Sequence, residues 1–174
     1  MDRLPPLSAD RTLFDYRAER VAIMGYRCAM AGYDLGDSSC WDALWTCLVE
    51  EGGLDFTCEV MGSLQFFVRA LRSSREGKCG YYPRNCSRVC EDECLVLSLL
   101  SAHQHGASEE RGYCLEKLQG EHWQDDAAIL PKAAEALARV LSRNGHVLLP
   151  VPMEVIHAIT QCHTCPFATP QTVN

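Results

Sequence analysis

"DFTCEVMGSLQFFVRALR", residues 55–72, carries its large apolar side chains at Phe56, Val60, Leu64, Phe67 and Leu71. Steps of three and four residues keep such side chains on one stripe of a helix that turns about 100° per residue. The spacing predicts a helix over 55–72. The same period recurs on both sides.

Upstream, Cys40, Trp41, Leu44, Cys47 and Leu48 share a face of a predicted helix over 39–50. Ser39-x-x-Asp42 resembles a capping box at its start, and Gly52-Gly53 is expected to stop it. Before that, Phe14, Ala18, Val21, Gly25, Cys28 and Gly32 fall on one stripe of a helix over about 10–32. Several of these residues are small, so a neighbouring helix can approach closely. Downstream, "RSSREGKCGYYPRN" (72–85) reads as a loop, rich in Gly, Ser and Pro. The next helix is expected from Asn85 or Ser87 to His105. Glu91, Asp92 and Glu93 lie near its positive end, and Gly106 terminates it. Residues 95–100 are apolar nearly all round, which marks a central, buried helix. A weaker helix follows from Ser108 through Leu118. Another has Pro131 at its first helical position and runs to Arg143, and a short one covers 153–162. "HVLLPVP" (146–152) reads as extended, either a short strand or a polyproline-like connector. The expectation is an all-α, compact bundle of six or seven helices, with a Cys-rich loop before a central buried helix. It forms a single domain over 1–174, with 1–9 and 166–174 as loose tails.

The chain has 16 basic and 23 acidic residues, a net charge of −7. The basic residues are scattered rather than striped, which argues against direct nucleic-acid contact. No run of 18 apolar residues is present, so no membrane span is expected. The first residues lack the apolar core and cleavage site of a signal peptide, so the expected location is intracellular, cytoplasmic or nuclear. In a reducing compartment, 11 cysteines are expected to be thiols or metal ligands rather than disulfides.

Four of them, Cys79, Cys86, Cys90 and Cys94, lie within "CGYYPRNCSRVCEDEC" (79–94). Thiols four residues apart on a helix stand one turn apart. With Ser87 as N-cap, Cys79 and Cys86 would come from the loop and Cys90 and Cys94 from the first turns. Such a set can close a four-thiolate site on zinc, preferred to an iron–sulfur centre. The helix N-terminus lowers thiol pKa, whereas Glu91–Glu93 raise it. The spacing matches neither common zinc modules nor ferredoxin runs. Cys162 and Cys165 form a second candidate pair. Cys28, Cys40, Cys47 and Cys114 read as core thiols, and Cys58 falls off its helix's apolar stripe.

No G-x-S-x-G, P-loop, H-E-x-x-H or dinucleotide motif is present, so no catalytic residue is assigned and an enzyme is the least supported class. Tyr81, Tyr82 and Trp45 are candidates for partner contact, since aromatic side chains anchor interfaces. The sequence therefore suggests a small helical protein acting through protein contacts in a structural or regulatory role. It would either carry a metal-thiolate site or be a metal-free module with reduced cysteines.

Overall fold

The computed structural model describes residues 13–120 and 128–161. Among these every regular element is a helix, and there are no strands. A 3₁₀ turn at Leu13–Asp15 leads into α1 (Arg17–Leu35). There follow α2 (Ser38–Ser73), α3 (Glu91–His105), α4 (Ser108–Gln119), α5 (Ile129–Arg143) and α6 (Met153–Gln161). No helix among the described residues is long and apolar enough to cross a membrane.

The stripe over 55–72 packs as its spacing predicts: Phe56, Val60, Leu64, Phe67 and Leu71 are all buried. The two predicted helices over 39–50 and 55–72 run together as α2, broken only at Gly53, where φ is 79° and ψ −175°. The glycine pair thus ends the first helix as expected, and the second begins across the kink without an intervening loop.

The small residues of α1 allow the predicted close approach. A Cβ on Gly32 would stand 2.4 Å from the Trp41 indole nitrogen, and one on Gly25 3.2 Å from Leu64. The Trp41 ring also meets Tyr33 edge to face at 5.3 Å.

Helix α3 is the central element, packed against α1, α4, α5 and α6. Every residue from Leu95 to Ala102 is buried. It is shorter than predicted. Residues 85–90 are irregular, and Cys90, not Ser87, is the N-cap. The Glu93 carboxylate accepts the Cys90 N–H at 2.9 Å, completing a capping box that the sequence reading did not identify. Pro131 lies in the first turn of α5 but two residues inside its start, where a missing N–H still leaves no helical bond unmade.

Residues 146–152 form a connector rather than a strand. Its main chain is satisfied by side chains of the core helices. Gln104 donates to the His146 carbonyl at 3.0 Å and accepts from Leu148 N–H at 2.7 Å. Ser101 donates to the Leu149 carbonyl at 2.7 Å, and buried Glu19 accepts Leu149 N–H at 2.6 Å. A sheet partner is unnecessary.

Two histidines in this region lack hydrogen-bond partners on buried nitrogens, His103 at Nε2 and His146 at Nδ1. His146 is 3% exposed and stacks on Phe56 at 4.9 Å. Burial first, then the positive charge of Arg17, lowers its pKa, against an opposing effect of Glu51. Burial and then Arg111 lower that of His103, against Glu135. Unfolded histidine titrates near pH 6.5, about the unperturbed value. Between that pH and the lower folded values, the unfolded chain binds more protons. Stability is therefore retained above about pH 6.5 and falls as the pH drops below it. Urea midpoints at neutral and mildly acidic pH should show this loss. A His103→Leu/His146→Phe variant should show less of it, and an equal loss in the variant would place the acid sensitivity elsewhere.

Candidate functional site

The Cys-rich loop between α2 and α3 is fastened from beneath by four side chains: Tyr26 and Arg27 of α1, and Asp92 and Glu93 of α3. Both Arg27 and Glu93 side chains are fully buried and form a two-pronged ion pair. Nε meets Oε1 at 2.6 Å and an Nη meets Oε2 at 3.0 Å. A buried charge is tolerated only when paired and hydrogen-bonded. The remaining capacity of this pair goes to the loop backbone. Arg27 donates to the carbonyls of Cys86 at 2.6 Å and Pro83 at 3.4 Å, and also to that of Arg88. Glu93 accepts Tyr82 N–H at 3.0 Å besides Cys90 N–H. Asp92 accepts Gly80 N–H at 2.5 Å and pairs with Arg75 at 3.0 Å. Tyr26 donates its hydroxyl to the Gly80 carbonyl at 3.0 Å.

Each of the four thiols in this loop has a definite place. Cys79 is buried, Cys86 half-buried, Cys90 caps α3, and Cys94 lies in its first turn. The Cys90 sulfur would stand 3.4 Å from a Cβ on Gly80, so the 79–80 segment passes directly over it. Cys79 and Cys90 both act electrostatically on the Tyr26 hydroxyl. Among the described residues, however, no three His, Cys, Asp or Glu side chains are gathered so as to hold a metal ion. The Arg27–Glu93 pair and its backbone bonds tie the loop to the helix. The opposing influences on these thiols also resolve. Burial, followed by Glu93, pushes Cys90 up to about 12 despite its place at the helix start. Burial brings Cys79 to about 11. Both are thiols at neutral pH. Cys162 and Cys165 lie outside the described residues.

The core reading fits Cys28 and Cys114, which are buried. Cys40 and Cys47 are half-buried, and Cys58, whose place off the stripe left it facing either solvent or another element, is exposed.

Above the clamp, α1, the first turns of α2 and the loop enclose a groove of about 320 Å³. Cys28 and Ala31 of α1, Cys40 and Ala43 of α2, and Tyr81 to Arg84 of the loop form its walls. Two of the three predicted contact aromatics are therefore brought together. Tyr81 also hydrogen-bonds Asp34 through its side chain. Trp45 is exposed, but it does not line this groove. It lies two residues beyond Ala43, about 200° around the helix. Arg27, which fixes the groove's floor, was not singled out from the sequence. It stands about 100° around the helix from Cys28, off the apolar stripe, so periodicity offered no signal for it.

Comparison with protein-family models, with curated proteins and with solved structures found no match.

Proposed function

We propose that this protein is a helical interaction module that receives a segment of a partner protein in the groove between α1, α2 and Tyr81–Arg84. The observation that carries the reading is the way the groove is built. Its loop wall is held by a buried ion pair rather than by loop contacts alone. A wall fixed before binding lowers the ordering cost of association. Its volume, about 320 Å³, is at the lower end of the range for binding clefts, about 300–1,000 Å³. That suits one or two aliphatic side chains of a peptide better than a large cofactor. Tyr81 and Tyr82 supply rigid aromatic surface, the type of residue that dominates binding energy at interfaces.

The test is a selection of displayed peptides against the wild-type protein and against Ala43→Trp, whose indole fills the groove. Peptides that bind the wild type and fail on Ala43→Trp support the reading. Peptides that bind both equally, or no enrichment at all, overturn it. Circular dichroism of Ala43→Trp establishes that it remains folded. The competing reading is a structural zinc on Cys79, Cys86, Cys90 and Cys94. Metal analysis of the purified protein separates the two: substoichiometric zinc is expected, and a full equivalent would return these thiols to the role of ligands.

A further inference from the structure

We infer that the segment received by the groove is acidic: a partner peptide that seats a branched aliphatic side chain between Ala31 and Ala43 and pairs an adjacent Asp or Glu carboxylate with Arg84. This rests on the groove reading above and adds the chemistry of the occupant.

The charges around the groove support it. The side chains lining it include two arginines and no carboxylate. Arg27 is neutralised by Glu93 and saturated by loop carbonyls. Arg84 is exposed and forms no ion pair among the described residues. Its charge acts on Cys28, within the groove, and on Cys47, one helical span further along α2. Three carboxylates of the α1–α2 region, Asp34, Asp37 and Glu51, are engaged elsewhere. Asp34 pairs with Arg72, and Asp37 accepts the Ser39 N–H at 2.9 Å and its hydroxyl at 2.7 Å. Glu51 pairs with Arg17, and Glu50, which acts on Cys47 as Arg84 does, forms no ion pair among the described residues.

The rest of the surface sharpens the contrast. The chain carries a net charge of −7, so an acidic peptide is repelled by most of the molecule and favoured where Arg84 stands free. Charge complementarity of this kind steers encounter and fixes register, while the apolar walls exclude water.

The experiment reads the composition of the peptides enriched by display from a random library, then the affinity of one enriched peptide for variants. Enriched sequences are expected to carry Asp or Glu beside Leu, Ile or Val. Arg84→Glu should weaken the chosen peptide about tenfold, Arg84→Lys much less, and added salt should weaken the wild-type complex. Binding unchanged in Arg84→Glu but lost in Ala43→Trp overturns the acidic peptide and leaves the groove standing. Binding unchanged in both variants overturns the groove itself. Enrichment only of peptides without acidic residues, or of phosphopeptides over their carboxylate counterparts, overturns the inference. So does a wild-type dimer that Ala43→Trp converts to monomer, because the occupant would then be a second copy of this chain.

Discussion

Arg27→Ala is expected to destabilise the protein by about 3–5 kcal/mol, the range for breaking a buried ion pair by removing one partner. For a chain of this size that lowers the melting temperature by on the order of 10 °C. The loss has two parts. Glu93 keeps its carboxylate at a fully buried position without its cation, and the carbonyls of Pro83, Cys86 and Arg88 lose their donor. Arg27→Lys should rescue little, because one ammonium cannot reproduce the planar fork that meets both Glu93 oxygens and the loop at once. Arg27→Met combined with Glu93→Gln should be less damaging than the sum of the single changes, since no bare charge remains buried. Urea unfolding gives the magnitudes. Hydrogen exchange gives the location: Tyr82 and Cys90, whose N–H groups bond Glu93, should lose protection before the amides of α5. A loss below about 1 kcal/mol for Arg27→Ala, the level of an exposed pair, would show that the loop is held by other means.

The same pair explains why the sequence reading found the loop but not its fastening. Four cysteines in sixteen residues, 79–94, are a conspicuous compositional signal, and metal chemistry is the usual reason for such clustering in a reducing compartment. Glu93 read as one member of an acidic first turn that complements the helix dipole. In the structure Asp92 and Glu93 turn inward, and only Glu91 of the three is exposed. An ion pair between residues 27 and 93 is a tertiary fact. Neither residue has a local pattern that announces the other, and charged residues are rarely fully buried.

The fold itself was much more legible. Helix periodicity depends only on near neighbours, so Phe56 to Leu71 and the unbroken apolar run from Leu95 to Leu100 announced their burial directly. The connector at 146–152 was legible as extended. The side chains that satisfy it, Gln104, Ser101 and Glu19, come from two helices distant in sequence. Tyr81 and Tyr82 were identifiable as contact residues from their type and their loop setting. The groove they line was not, because it depends on how close Cys28 and Ala31 come to Cys40 and Ala43. That approach follows from Gly32 accepting the Trp41 ring.

The break at Gly53 supplies the second large effect, and it was read from the sequence as a stop. At φ 79° and ψ −175° the backbone occupies a region open essentially to glycine alone. A Cβ at Gly53 would meet nothing within 4 Å. The cost of Gly53→Ala is thus backbone strain rather than crowding, about 1–3 kcal/mol. Gly62 provides the internal control. It lies in the same helix, and its added Cβ also meets nothing within 4 Å, but no positive φ is required there. Gly62→Ala should therefore raise stability by up to about 1 kcal/mol, the helix propensity difference. Two identical substitutions in one helix are expected to change the urea midpoint in opposite directions. Gly52→Ala should also destabilise, but by crowding: its Cβ would stand 2.4 Å from the Phe56 ring, which is itself stacked on His146. A Gly53→Ala protein as stable as Gly62→Ala would mean that the helix can straighten through residue 53. The bend would then follow from packing rather than from the glycine.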